Sequence, residues 1–308
     1  MAKRIEVAVI GAGPAGISAA IFLKRAGATT ILFEKHEIGG LLRNANLVEN
    51  YPGFPKGIGG QELVALFAKQ LKECAVAVKK ADVSAVGSSR SGFRIETDSG
   101  DFIARIVIVC TGTRPKDIGL KGGSSFIGKK IFHEIADLPP LGKKHARVLI
   151  IGGGDAAFDY SINLSSHGHK VTIISRSEST CLTLLKERAK EKGVDLLEQY
   201  VPLRVREVNS GIALTIKGKG GKRELAADYI LIACGRGPEL SMLDHDLKRR
   251  IGGLKDVPRT RVPGLFVGGD VVRGIHRQTG IAVGDGVLAA MIAMEFLRGG
   301  GWMSEDRR

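Results

Sequence analysis

The chain has 308 residues, enough for about two domains, and its 44% hydrophobic content is that of a soluble α/β protein. Its 46 lysines and arginines against 32 acids give a formal charge of +14, which suits phosphate ligands or an acidic protein partner; no lysine–arginine run is long enough for the basic arm of a nucleic-acid binder. The four cysteines, Cys74, Cys110, Cys181 and Cys234, include no Cys-x-x-Cys pair, which excludes the usual zinc and dithiol motifs, leaves no metal site to expect, and points to reduced thiols in the cytoplasm.

In chain order, Ile5–Ile10 is predicted as strand, Pro14–Ala26 as helix and Thr30–Glu34 as strand, a βαβ unit. The uncharged run Val7–Leu23 behind Lys3 and Arg4 mimics a signal peptide or short membrane span. Pro14 and the spaced glycines instead make it a buried strand, a phosphate loop and a buried helix, so no membrane is expected. Gly39–Gly60 is rich in glycine and proline and reads as a loop, where cofactors are often held. Gln61–Ala75 has a helical period. Segments 76–86, 92–97 and 101–109 alternate or are β-branched, predicting an antiparallel excursion. Thr111–Pro115 breaks the pattern as a domain crossing. A second βαβ unit runs from Arg147 to Ser175, strands follow at 201–208, 211–217 and 224–234, and Gly235–Pro238 repeats the break. Leu265–Val267 leads into Gly268-Gly269-Asp270, Ala282–Leu297 reads as a closing helix, and the tail Arg298–Arg308, with the only tryptophan at 302, reads as loose.

Two glycine turns carry the chemistry. In Gly11-Ala12-Gly13-Pro14-Ala15-Gly16, Gly11 permits a tight turn, Gly13 lets backbone approach a pyrophosphate and Gly16 lets the helix pack on the sheet. Glu34, ending the next strand, can accept hydrogen bonds from both ribose hydroxyls, as FAD or NAD requires. In Gly152-Gly153-Gly154-Asp155-Ala156-Ala157, the place of that acid is taken by Ser175 with Arg176 after it, an arrangement that tolerates or favours a 2′-phosphate and so leans toward NADPH over NADH. Gly269-Asp270 at a strand end, paired with the first turn, is a flavoprotein signature, the aspartate accepting from a ribityl hydroxyl.

On Gly11–Gly16, Glu34, Gly39-Gly40-Leu41, Val48–Gly53, Thr111-Gly112, Gly152–Asp155, Gly269-Asp270, Arg277-Gln278 and Gly284-Asp285-Gly286, the chain resembles the low-molecular-weight thioredoxin reductase family over nearly its whole length. The resemblance implies an α/β fold of two Rossmann-like domains, one inserted in the other. Residues 1–115 and 243–308 would form the FAD domain and 116–242 the NAD(P) domain. It implies a homodimer and noncovalent FAD, with Gly40 and Leu41 at the cofactor, Asn50 near the isoalloxazine, Thr111 and Gly112 beside the FAD, and Arg277 and Gln278 on the flavin and its phosphates.

The chain departs from that family where the dithiol belongs. Ile131–Pro140 carries Glu134 and Asp137 at roughly the cysteine positions, and carboxylates cannot perform thiol–disulfide exchange. In this the chain resembles the thioredoxin-reductase-like ferredoxin/flavodoxin–NADP reductases. Cys181 also stands where an arginine for the 2′-phosphate is common. The expected activity is hydride transfer from NADPH or NADH to FAD, then electron exit to a small redox protein such as ferredoxin, flavodoxin or a thioredoxin-like partner. Two alternatives stay open: a disulfide reductase or oxidase using an external thiol or oxygen, and a non-enzymatic flavin redox sensor. His133, Glu134 and Asp137 are the candidates for assisting proton transfer.

Overall fold

The computed structural model describes residues 2–140, 145–209, 211–251 and 258–300. By contact density the chain divides into two compact units: Met1–Arg43, Glu49–Arg114 and Gly237–Arg308 form the first, and Asn44–Val48 with Pro115–Arg236 the second. Trp302 and the rest of the tail from 301 lie outside the described residues.

The first unit opens with strand β1 (Lys3–Ile10), helix α1 (Pro14–Arg25) and strand β2 (Thr30–Glu34). Pro14 opens α1 at a position whose amide has no helical partner in any case, and Gly27, at φ 88°, ends it in the left-handed region. A 3-10 turn at Gly40–Asn44 interrupts the following loop. Helix α2 (Gly60–Glu73) and strands β3 (Ala77–Lys80), β4 (Val83–Ser89), β5 (Gly92–Thr97) and β6 (Phe102–Val109) follow. The sheet runs β3-β2-β1-β6-β5-β4. Strands β4, β5 and β6 pair antiparallel in succession, as predicted; β3 does not join them and pairs parallel with β2, from Ile31 opposite Ala77 to Glu34 opposite Lys80.

Residues of β1 and β6 alternate between two cores, as a period of two demands. Val7, Val9, Ile106 and Ile108 face α1 and the closing helix, with Ala15, Ile17, Ala289 and Ala293. Ala8, Ile10, Val107 and Val109 face Phe93, Ile95 and Leu247 on the other side. Strand β7 (Thr113–Pro115) then leads out of the unit.

The second unit has a parallel sheet flanked by helices on one face and a small antiparallel sheet on the other. Its elements are β8 (Ile131–Phe132), β9 (Arg147–Ile151), α3 (Asp155–Ser166), β10 (Lys170–Ile174), α4 (Thr183–Glu191), β11 (Asp195–Leu197), β12 (Val201–Val208), β13 (Gly211–Gly218), β14 (Gly221–Ala227) and β15 (Tyr229–Ile232). The parallel order is β11-β10-β9-β15-β8, and β12-β13-β14 is the antiparallel layer. Val148, Ile150, Val171 and Ile173 pack against Phe158 and Ala157 of α3. Leu149, Ile151 and Ile232 pack against Val205, Leu214 and Ile216 of the antiparallel layer. The single strand predicted at 224–234 is therefore two strands in two sheets. They separate at Asp228, whose carboxylate accepts from the Arg147 amide (2.7 Å) and guanidinium (2.8 Å).

Strand β16 (Arg236–Pro238) returns the chain to the first unit, which is completed by α5 (His245–Ile251), β17 (Leu265–Val267) and α6 (Thr279–Glu295). β6 uses one edge for β1 along its length and divides the other: Phe102–Ala104 pair with β5, and Val107–Val109 with β17. By length and composition Thr279–Gly299 passes as a membrane span, with mean hydropathy 1.7. In the fold this helix lies along α1, where Ser18 Oγ donates to the Val283 carbonyl at 3.1 Å.

Candidate functional site: two glycine turns at strand ends

In the first unit, β1 stops at Ile10 and the chain turns through Gly11 at φ 100°. A Cβ on Gly11 would lie 2.5 Å from the Cys110 carbonyl oxygen, and one on Gly16 would lie 1.8 Å from the Gly11 carbonyl oxygen. Only glycine closes this turn against β6 and the helix. At Gly13 the case differs, since a Cβ there would meet nothing within 4 Å. Its glycine keeps a space open that the protein itself does not fill. No side chain caps α1, so the helix offers free amides and the positive end of its dipole at this space, the conditions for an anion.

The neighbouring groups converge on the same turn. Glu34 accepts from the Ala12 amide (2.7 Å) through one carboxylate oxygen and from the His36 amide (2.8 Å) through the other. Two amides hold the carboxylate in one plane, and each oxygen keeps a lone pair for a ribose hydroxyl. Gly39 N–H donates to the Ala12 carbonyl at 2.7 Å, and a Cβ on Gly40 would come within 3.3 Å of Gly13 Cα, so Gly40 edges the turn, with half-buried Leu41 next to it. Beside Glu34 an open pocket is lined in part by Gly11, Lys35, Thr111, Glu239, Ser241 and Met242. Thr111 Oγ1 donates to the Glu239 carbonyl at 2.5 Å, and the Glu239 amide to the Gly112 carbonyl at 3.0 Å.

The third motif reaches this turn from the far end of the chain. A Cβ on Gly269 would stand 2.8 Å from Ala15 Cβ, and one on Gly286 would stand 2.0 Å from the Ala15 carbonyl oxygen. This places Asp270 by the start of α1. Asp285, buried in α6, accepts from the Gly269 amide at 3.0 Å and from two nitrogens of Arg273, Nε at 2.8 Å. Asn50 Nδ2 donates to Gln278 Oε1 at 2.9 Å, joining two residues that lie far apart in sequence. The adjacent Arg277 has its Nε buried with no partner among the described residues. A buried guanidinium nitrogen without an acceptor is costly. With the open space at Gly13, it fits a bound phosphate-bearing cofactor of FAD type. Cys110 is fully enclosed beneath the turn; burial, then the Asp285 charge, pushes its thiol up to about 12, which makes it a packing group and not a nucleophile.

In the second unit, β9 leads into Gly152–Gly154. A Cβ on Gly152 would lie 2.6 Å from the Ala233 carbonyl oxygen, whereas one on Gly154 would meet nothing, the same closed-then-open pattern. Helix α3 also starts without a side-chain cap. Asp155 is exposed and accepts from the Leu182 amide at 2.9 Å; Ala156 beside it is exposed. Ser175 is buried and donates to the Ser177 carbonyl at 2.7 Å, while Arg176 is exposed.

The three acid–base candidates also lie in the second unit, and the structure gives them unlike surroundings. Glu134 is enclosed: Oε1 takes Arg236 at 2.5 Å, and Oε2 takes the Tyr160 hydroxyl at 3.0 Å and Asn44 Nδ2 at 2.8 Å. Burial pushes its carboxyl upward, and Arg236 followed by Tyr160 pulls against that shift. Its lone pairs are committed to structure. His133 is held below the ordinary imidazole value, first by burial; a hydrogen bond to the Ile232 backbone opposes this, and Arg236 adds to it. The ring is therefore neutral at neutral pH, with a buried Nδ1 that has no partner among the described residues. Asp137 is exposed at the end of a 3-10 turn. Sequence reasoning passed over Arg273, Glu198 and Asn44. Only the first left a signal, because a lone acid such as Asp285 within an apolar helix demands a nearby cation.

Residues 5–286 match the family described as pyridine nucleotide-disulphide oxidoreductase. The chain is 32% identical to a thioredoxin reductase of Treponema pallidum, covering 95% of this chain and 97% of that protein. Among solved structures, it is similar to thioredoxin reductase from Lactococcus lactis, with TM-score 0.88, 29% identity and 96% and 99% of the two chains covered. It is also similar to that of T. acidophilum, with TM-score 0.86, 30% identity and the same coverage. The chain therefore belongs to the pyridine nucleotide-disulphide oxidoreductase family, in its thioredoxin-reductase-like branch, and is an FAD-dependent oxidoreductase with NADPH or NADH as co-substrate.

Proposed function

We propose that this enzyme passes electrons from NAD(P)H through FAD to an external small redox protein, of ferredoxin or flavodoxin type, without a dithiol of its own. The observation that carries the reading is the thiol inventory. No two of the four cysteines stand in a Cys-x-x-Cys pair, all four are free thiols, and Cys110 is sealed in the core with its thiol pushed up to about 12. The family's electron path through a protein disulfide therefore has no sulfur pair to run on. When bound, FAD accepts two electrons as hydride and can release them singly, which suits a one-electron carrier.

In this reading the first unit holds FAD. Gly11, Gly13, Pro14, Ala15 and Gly16 present the turn and helix end to the pyrophosphate, Glu34 orients the ribose, and Asp270 takes the ribityl chain. Gly40, Leu41, Thr111, Gly112 and Gly269 shape the walls, Arg277 meets a phosphate, and the Asn50–Gln278 pair lies at the isoalloxazine. The second unit takes the nicotinamide nucleotide on Gly152, Gly153, Gly154, Asp155 and Ala156, with Ser175 and Arg176 toward the adenosine ribose. The formal charge of +14 favours an acidic carrier, through encounters that weaken with salt. The enzyme works as a homodimer in the cytoplasm.

A second reading, reduction of an external protein disulfide, is favoured by relatives described as thioredoxin reductases. One experiment separates the two. Flavin-loaded enzyme is reduced anaerobically with NADPH or NADH and then offered ferredoxin with cytochrome c, or thioredoxin with insulin. Cytochrome c reduction that depends on ferredoxin supports the proposal. Insulin reduction through thioredoxin at comparable rates overturns it in favour of the second reading. A flavin that stays oxidised with both donors refutes both.

A further inference from the structure

The loop after β10 is laced to the second glycine turn. Thr180 N–H donates to the Gly153 carbonyl at 2.7 Å, Leu182 N–H to Asp155 Oδ1 at 2.9 Å, and a Cβ on Gly153 would lie 2.4 Å from Ser175 Oγ and 3.4 Å from Ser179 Cα. In a βαβ nucleotide site this loop meets the 2′ position of the adenosine ribose, and its donors and cations decide whether a phosphate is welcome there. Here the three serine hydroxyls of the loop are already engaged. Ser175 Oγ donates to the Ser177 carbonyl and Ser177 Oγ to the Glu178 carbonyl. Ser179 gives both its amide (2.8 Å) and its hydroxyl (2.5 Å) to one oxygen of Glu198. Glu198, just past β11, also takes Lys186 Nζ at 3.0 Å. The loop's own cation is Arg176, with Glu178 two residues on and Glu198 against Ser179. Hydrogen bonds from Ser179, then Lys186, hold the Glu198 carboxyl down at about 2, so it carries its charge at every working pH.

We propose that Glu198 is a specificity-determining residue of the pyridine-nucleotide site: its carboxylate selects against a 2′-phosphate, so the site takes NADH at least as well as NADPH. This rests on the assignment of the second unit to the pyridine nucleotide, and it opposes the lean toward NADPH drawn from Ser175-Arg176 alone. The physical basis is charge. A phosphate monoester carries about −1.5 to −2 at neutral pH and gains from cations and free donors. The loop instead offers Ser179 donors that are taken and a carboxylate that offsets the charge of Lys186.

The test is calorimetric titration of the flavin-saturated enzyme with 5′-AMP and with 2′,5′-ADP, which needs no turnover, on the native chain, Glu198→Gln and Lys186→Ala. The native enzyme should bind 5′-AMP at least as tightly as 2′,5′-ADP. Glu198→Gln should shift the ratio toward 2′,5′-ADP by roughly tenfold, and Lys186→Ala should shift it the other way. A merely structural role for Glu198 would weaken both nucleotides together in both variants and leave the ratio in place. That result, or tighter native binding of 2′,5′-ADP than of 5′-AMP, overturns the proposal while leaving the second unit as the nucleotide site. If neither nucleotide binds the native enzyme, the assignment of the second unit falls and the proposal falls with it.

Discussion

Glu134 is the most exacting place to test the structure of the second unit. Its side chain is 17% exposed and that of Arg236 20%. Glu134→Ala removes the acceptor for Arg236, for the Tyr160 hydroxyl and for Asn44 Nδ2. Breaking a fully buried ion pair from one side costs about 3–5 kcal/mol. Partial water access and the other contacts of Arg236 reduce that share to about 1–2 kcal/mol, and the hydroxyl and amide that lose an acceptor add about 1 kcal/mol. The sum, about 2–3 kcal/mol, corresponds to a fall of roughly 4–12 °C in the melting of a unit this size. Glu134→Gln keeps the volume and one acceptor and should lose about half as much. Calorimetry resolves the second unit's transition, and a double-mutant cycle of Glu134→Gln with Arg236→Met should give a coupling of about 1–2 kcal/mol. If Glu134→Ala melts within about 1 °C of the native chain, or the cycle is additive, the carboxylate does not anchor this unit.

The two glycines of the first turn should fail differently. Gly16→Ala, facing a contact of 1.8 Å, should give little folded protein, whereas Gly13→Ala should fold with native circular dichroism yet retain less than about a tenth of its flavin by absorbance; equal flavin in Gly13→Ala and the native chain refutes the cradle. Asp285→Asn leaves Arg273 facing a neutral amide and should lower both flavin retention and melting temperature by amounts that Asp285→Glu does not restore, since the longer chain cannot sit at the same distances. For pH, the hydrogen bond from Arg147, then its charge, holds Asp228 below the ordinary carboxylate value. A depressed acid stabilises the fold above its unfolded value and loses that contribution as pH falls through its folded value. Asp228→Asn should therefore flatten the acid limb of the second unit's stability profile, and an unchanged limb would count against the pair. Native Cys110, with its thiol pushed up to about 12, should resist iodoacetamide at neutral pH until the first unit unfolds.

What was legible in the sequence was local. Glycine turns, the strands feeding them and the helices leaving them follow from period, spacing and phosphate-loop chemistry, and those elements stand within a residue or two of expectation. Two kinds of feature escaped. Helix α4 buries only Ala189, so it shows no apolar stripe to read, and β11 has three residues, too few for a pattern. The run 224–234 looked continuous because Asp228 is a single polar interruption, and its role as the joint between two sheets depends on Arg147, which sequence spacing does not reveal. The pairings that shape the sites are similarly nonlocal. Asn44 meets Glu134 and Ser179 meets Glu198 across intervening elements, and no periodicity reports them. Asp285 with Arg273 was inferable in principle, because an apolar helix tolerates an acid only beside a cation.

The way β17 and α6 complete the first unit dictates an order of assembly on the ribosome. The N-terminal βαβ unit emerges early, yet the free edge at Val107–Val109 and the face of α1 have no cover until the final stretch of chain is made. Except for the short Asn44–Val48 piece already present, the second unit is contiguous and can finish while the first waits as an exposed half. Nascent chains stalled ahead of Leu265 should accordingly present a protease-sensitive N-terminal half joined to a resistant middle.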